Sequence, residues 1–205
     1  RFDQVPPGPL LLVANEFFDA LPVRHFVRGA DGWHERLVGL DAEGQLCFGA
    51  APEPLPVEAT AAQPGEILEI GHIGVRIMRT LAERLAAQGG ALLVCDYGHV
   101  LSSLGETLQA VKGHAFADVL ATPGEADLTA HVDFAALARA AEGVGAKAWG
   151  PVAQGEFLTR LGMVQRAEAL KARADARQRD ALDAAVLRFT SPDSSMATLF
   201  KAMAV

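Results

Sequence analysis

Leu10-Leu11-Leu12-Val13-Ala14 is apolar at every position, the pattern of a strand buried on both faces in a parallel sheet. Asn15 to Leu21 then turns or forms a short helix that Pro22 stops. Two alternating segments, Val23 to Arg28 and Trp33 to Leu40, flank Gly29-Ala30-Asp31-Gly32 and predict a hairpin. A turn at Asp41 to Gly44 and a strand at Leu46 to Phe48 extend it into a small antiparallel meander, which ends at the proline-rich stretch Pro52 to Pro56. From Ile73 to Ala87, Ile73, Ile77, Leu81 and Leu85 recur every four positions with Arg76, Arg79, Glu83 and Arg84 between them, so an amphipathic helix is expected. Gly89-Gly90 ends it, and Ala91 to Cys95 reads as a second doubly apolar strand. A helix between two such strands is a parallel βαβ crossover, which sets the fold class as α/β.

Gly98 to Thr129 has no clear periodicity, yet its composition is too ordered for a disordered linker, and a functional loop is expected there. Asp133 is placed to cap the next helix, with Val132 before it and Leu137 after it positioned as a hydrophobic staple, and Gly143 or Gly145 ends that helix. Ala146 to Trp149 predicts a strand and Gly155 to Leu161 a short helix. Val164 to Phe189 predicts a longer helical region whose middle, Ala172 to Ala181, is solvated, and Thr198 to Val205 predicts a closing strand. No internal repeat or low-complexity segment interrupts this order.

With 205 residues, half of them hydrophobic, the chain can bury one sizeable core, so one domain or most of one is expected. A formal net charge of −7 leaves no basic field to gather nucleic acid or anionic lipid. Cys47 and Cys95 sit far apart in apolar runs, as buried free thiols do in a reducing, cytoplasm-like compartment. No apolar run is long enough to cross a bilayer, so no membrane insertion is expected. The sequence begins at Arg1-Phe2-Asp3 and reaches an apolar strand within a few residues, which reads as a start partway through a domain.

Ligands of open parallel sheets bind beyond the carboxyl ends of the strands. Both apolar strands turn polar at that end, the first into Asn15-Glu16-Phe17-Phe18-Asp19 and the second into Asp96-Tyr97-Gly98-His99. If the strands are neighbours, Glu16 and Asp96 open into one cleft, and paired carboxylates suit a cationic ligand. A structural reading stands beside this one: Asn15 as an N-cap, Glu16 as a first-turn acid and Asp96 as a loop cap. For Asp133 the cap is the favoured reading, and His25, His34 and His72 read as surface or edge residues. His99, His114 and His131 fall in or beside the expected loop, but none has a partner at metal-ligand spacing. No metal is therefore expected. No glycine-rich turn joins a strand to a helix, so the chain offers no phosphate loop.

Leu12-Val13-Ala14-Asn15-Glu16-Phe17-Phe18-Asp19-Ala20-Leu21-Pro22-Val23 resembles the signature of the MidA-like methyltransferases, the family of the mitochondrial complex I assembly arginine methyltransferase. The likeness continues through Asp96-Tyr97-Gly98-His99, Thr107-Leu108-Gln109-Ala110 with Gly113-His114, and Pro123-Gly124 with Asp127 to Phe134. It ends with Gly150-Pro151-Val152, Gln154 to Leu158 and Leu199-Phe200-Lys201. The resemblance implies the C-terminal part of one class I, Rossmann-like domain over residues 1–205, with Leu10 to Ala14 as its fourth strand and Ala91 to Cys95 as its fifth. A reversed hairpin would end the sheet, a β-meander would be inserted at residues 22–50, and a helical excursion would occupy residues 163–190. The family's glycine-rich cofactor loop lies upstream of anything present, so the isolated chain is expected to be inactive and to self-associate through its exposed strand edge.

The implied activity is methyl transfer from S-adenosylmethionine to an arginine of the 49-kDa-type subunit of respiratory complex I, in the mitochondrial matrix for eukaryotic relatives and the cytoplasm for bacterial ones. Carboxylates forked against a guanidinium fix the attacking nitrogen and stabilise the remaining charge. Glu16 is the first candidate for that role and Asp96 the second, with Asn15 orienting the loop. Asn15 and Glu16 also supply the remaining cofactor contacts. Phe18, Asp19, Tyr97, His99 and His131 are placed on the substrate side. Two other readings remain: a non-catalytic assembly module that binds complex I subunits, and a small hydrolase using the paired acids.

Overall fold

The computed structural model describes residues 4–57 and 61–205; Arg1-Phe2-Asp3, on which the reading of a start partway through a domain falls, lie outside the described residues. The chain first forms β1 (Leu10–Asn15), β2 (Arg24–Arg28), β3 (Trp33–Leu40), β4 (Leu46–Ala50) and β5 (Ile67–Ile70), then helix α1 (His72–Gln88) and β6 (Gly90–His99). Four short strands follow, β7 (Gln109–Lys112), β8 (Ala115–Ala117), β9 (Asp127–Thr129) and β10 (Val132–Asp133), before α2 (Phe134–Glu142). The chain closes with β11 (Trp149–Ala153), α3 (Gln154–Arg160), α4 (Met163–Lys171), α5 (Ala176–Thr190), α6 (Ser195–Thr198) and β12 (Phe200–Ala204).

The main sheet has the order β1-β6-β12-β11, with β10 alongside the far end of β6. β1 and β6 are parallel, Leu10 opposite Gly90 and Asn15 opposite Cys95, so the crossover through α1 is as expected. β12 runs antiparallel to both β6 and β11, which makes the reversed hairpin at the sheet's end. The α/β class and the class I arrangement are thus present. α1 buries Gly74, Met78, Leu81, Ala82 and Leu85, against Leu92 and Val94 of β6 and Phe134 and Leu137 of α2. Burial of each such large side chain contributes roughly 1.5–3 kcal/mol. The buried stripe keeps the expected Leu81 and Leu85 but runs through Gly74 and Met78, with Ile77 half-buried beside it, and a Cβ on Gly74 would lie 3.3 Å from the Phe18 ring.

Several expectations need correction. β1 is not buried on both faces: Leu11 is 86% and Val13 68% exposed, because the helices of the described residues cover only the Leu10 and Leu12 side. The meander gains a fourth strand, β5, in the order β4-β3-β2-β5. Ile67-Leu68-Glu69-Ile70 carries no local strand signal, because four residues with an internal acid give too little periodicity. The segment read as a loop contains a three-stranded sheet, β8-β7-β9. β6 continues four residues past Cys95, so Asp96 to His99 are strand residues rather than a polar exit. The strand expected at Ala146 starts at Trp149, and the long helical region is broken before Asp175, whose carboxylate and Gln178 form a reciprocal capping box. His25 is buried, not a surface residue, and both cysteines are free and half-buried.

Two glycines of the quoted motifs have a packing reason. A Cβ on Gly98 would fall 2.1 Å from the Val132 carbonyl oxygen, so only glycine lets β10 come against β6. A Cβ on Gly155 would fall 2.8 Å from the Ala197 Cβ, where α3 meets α6. No helix among the described residues is long and apolar enough to cross a membrane.

Asp133 caps α2 as expected, its carboxylate accepting from the Ala136 N–H at 2.8 Å, and Val132 and Leu137 both lie in the core. Asp133→Ala is expected to cost about 1 kcal/mol, typical of a lost N-cap, and to lower Tm by roughly 2–4 °C for a chain of this size. An unchanged melting curve would contradict the cap's role. The outer edge of β1 has no strand partner among the described residues, and its exposed leucine and valine carry no charge to discourage pairing. The 205-residue chain is therefore expected to self-associate at micromolar concentration in light scattering; a monodisperse monomer would show the edge to be inert.

Candidate functional site

The end of β1 is built around a buried carboxylate. Glu16 donates its N–H to the Cys95 carbonyl at 2.9 Å, keeping the parallel register for one more residue, and then takes φ +47°. A left-handed non-glycine residue costs of order 1–2 kcal/mol. The turn it produces aims three successive backbone N–H groups, from Phe17, Phe18 and Asp19, at Asp96 Oδ2, at 3.1, 2.9 and 3.3 Å. The other oxygen, Oδ1, accepts from the Tyr97 N–H at 3.0 Å. Asp96 thus occupies a nest of amides that would otherwise take an anion, and it has no solvent exposure.

The sequence-predicted residues fall into three groups. Asn15 and Glu16 are exposed at the strand end, the Asn15 amide donating to Glu16 Oε1 at 3.5 Å. Beneath them Asp19 and Asp96 are buried, and the half-buried Tyr97 ring packs against His131 and Phe200. Phe18, His99 and His131 line a cavity of about 260 Å³ between β5, α1, α2 and the segment after β6. The expected cleft shared by Glu16 and Asp96 is therefore absent: one carboxylate faces solvent and the other faces the backbone. Phe18 is core and Phe17 is exposed, the two rings meeting edge-on at 5.2 Å.

Asp19 Oδ1 is a buried acceptor with no partner among the described residues. Burial pushes the Tyr97 hydroxyl up to about 12, and Thr129, Asp19 and Gln109 lie within its hydrogen-bonding reach. Burial holds His131 below the ordinary imidazole value, helped by the neighbouring His99.

One hydrogen-bond hub has no signal in the local sequence. Glu69, on the unrecognised β5, accepts from the N–H groups of Thr107 and Leu108 at 2.9 and 3.0 Å and from the Thr107 hydroxyl. His25 Nε2 lies 2.8 Å from Glu69 Oε1, close enough for an ion pair though not aligned as a conventional hydrogen bond. Burial alone would raise the Glu69 carboxyl, but His25 and the Thr107 donors outweigh it and hold it below its ordinary value. Thr107 in turn accepts from the His131 N–H at 2.8 Å. The available signal was Thr107-Leu108 within a family motif, with no indication of its partner.

A family of proteins described as "putative S-adenosyl-L-methionine-dependent methyltransferase" matches residues 1–152, most of the chain. The chain belongs to this family. Among curated proteins it is 42% identical over 170 residues to the Mus musculus protein arginine methyltransferase NDUFAF7, mitochondrial, covering 81% of this chain and 38% of that one. The Danio rerio counterpart is 40% identical over 174 residues, covering 82% of this chain and 40% of the relative. The chain therefore spans about two fifths of the length of these relatives. A Burkholderia thailandensis crystal structure with S-adenosyl-homocysteine bound superposes with a TM-score of 0.81 at 27% identity, over 98% of this chain and 55% of that one.

S-adenosylmethionine is the cofactor of the methyltransferase family, and the residues present fit one side of it. The exposed Asn15 amide and Glu16 carboxylate at the end of β1 offer the donor and acceptors that a cationic, hydroxyl-bearing group requires. Among the described residues no glycine-rich turn leads from a parallel strand into a helix, so Asn15 and Glu16 would hold it from this side alone.

The Asp96 carboxyl is pushed up to about 6, by burial first and the charge of Asp19 second, against the N–H groups that favour its ionised form. A carboxyl whose pKa is higher folded than unfolded contributes stability that is present below about pH 4 and lost as pH rises through the folded value. Relative to wild type, Asp96→Asn is thus expected to gain up to about 3 kcal/mol between pH 4 and pH 7. Urea titrations of both proteins at each pH check it. A constant difference across the window would show that Asp96 titrates normally.

Proposed function

We propose that the full-length protein is an S-adenosylmethionine-dependent protein arginine methyltransferase acting on a respiratory complex I subunit of the 49-kDa type, and that this chain supplies the substrate-facing side of its site. Arginine specificity is supported by the relatives named protein arginine methyltransferase, and the subunit by the resemblance of the motifs. The observation that carries the reading is Glu16, an exposed carboxylate held in left-handed backbone at the end of a parallel strand by a turn fastened to Asp96.

The bound cofactor supplies an electrophilic methyl group. This chain's residues supply position, which is most of what an in-line transfer at about 3–3.5 Å needs. A guanidinium has a pKa above about 12 and spreads its charge over three nitrogens, so it must be fixed as well as met. In the proposed site Glu16 Oε1 and Oε2 accept two guanidinium N–H groups as a fork. Asp19 Oδ1, buried and unpartnered, is a second acceptor below it. Asp96 is a positioning residue, since its oxygens are taken by backbone N–H groups. The Asn15 amide, bonded to Glu16 Oε1, orients that carboxylate.

In the full-length protein, Glu16→Gln keeps shape and removes charge. It is expected to lower kcat for arginine methylation at least roughly a hundredfold, a charge-assisted pair contributing about 3 kcal/mol in such a site. Near-normal methylation of the subunit by this variant would remove Glu16 from the role.

A further inference from the structure

We infer that the cavity lined by Phe18, His99 and His131 is a specificity pocket that takes a bulky apolar side chain flanking the target arginine in the polypeptide substrate. This rests on the arginine methyltransferase reading above and adds to it the neighbour that the enzyme selects.

The cavity is placed for such a role. Phe18, two residues along the turn from Glu16, forms part of its wall, and His99 brings the end of β6 to it. Its size points to one side chain: about 260 Å³ lies below the about 300–1,000 Å³ of pockets that enclose whole small molecules.

Wall chemistry decides what enters. The charged groups that face the cavity are already committed. Glu69 is saturated by Thr107, Leu108 and His25. Asp133 accepts from the Ala136 N–H and the Ser102 hydroxyl, and Arg139 donates to Ser102. The polar groups left over are the imidazoles of His99 and His131, neither of which makes a ring hydrogen bond within the described residues, and the exposed hydroxyl of Ser103. No free carboxylate remains for a guanidinium or ammonium, so the pocket does not hold the arginine itself. Val75, Leu68 and Leu137 line the remainder, which favours an aliphatic or aromatic group.

The test uses the full-length protein and arginine peptides that differ only at the residues beside the arginine: leucine or phenylalanine, alanine, or glutamate. Fluorescence anisotropy reads peptide binding without cofactor, and methylation gives KM and kcat. The bulky apolar peptides are expected to bind at least tenfold more tightly than the alanine peptide, with the difference in KM and kcat within about threefold. Ala136→Phe fills the pocket and is expected to abolish the preference. Ala136→Leu, a smaller intrusion that folds more readily, is expected to reduce it. Equal binding of all peptides by wild type, or an undiminished preference in a folded Ala136 variant, overturns the pocket. Retained preference in binding with no methylation of any arginine would overturn the arginine reading and leave the pocket standing.

Discussion

The Asp96 carboxylate is the constraint on which the rest of the site depends. Three amides of the turn after β1 point inward, and buried N–H groups must find acceptors. Asp96 Oδ2 takes all three. That arrangement supports the unfavourable backbone of Glu16, and it is the reason Glu16 faces outward while Phe18 drops into the core. The two acids read at the ends of neighbouring strands are therefore neither a pair nor redundant: the inner one shapes the loop that presents the outer one. Holding a carboxylate at that depth beside Asp19 is unfavourable for its charge, which is why its proton affinity rises despite four N–H donors.

A second buried carboxylate joins the insertions to the α/β frame. Glu69 ties β5, the inner edge of the meander, to the Thr107 segment, and the Thr107 hydroxyl passes the connection to His131 ahead of α2. Its partner His25 lies across the same sheet, opposite Glu69 in the β2–β5 register. Removing one member of such a buried pair leaves the other uncompensated, so the meander and the cavity wall stand or fall together. Arg36 adds a more exposed link from β3 to Glu106 at 2.5 Å. The meander is accordingly fastened to the cavity wall rather than a detached decoration.

Local sequence determined a good deal of this protein. Unbroken apolar runs marked β1 and the first half of β6, alternation marked the β2–β3 hairpin, and Asp133 between Val132 and Leu137 marked the start of α2. Each of these signals lies within a few residues, where periodicity and capping act. The motifs carried the family, and through it the strand order. Elements that depend on distant partners were not legible. β5 exists because β2 offers it an edge, the β7-β8-β9 sheet forms from strands of three or four residues, and β6 runs on through Asp96 because Lys201 and Phe200 of β12 pair alongside.

The site divides in the same way. That Asn15, Glu16, Asp96 and the histidines stand near strand ends was readable, because chemistry in parallel sheets gathers there. Which acid faces solvent was decided only in three dimensions. Exposure of Glu16 and burial of Asp96 follow from one backbone reversal and from amides 77 to 79 residues away in the chain, and no local pattern encodes a hydrogen bond of that span. His25 shows the same limit: on an alternating strand it could face either way, and only the arrival of Glu69 opposite it made burial of an imidazole tolerable.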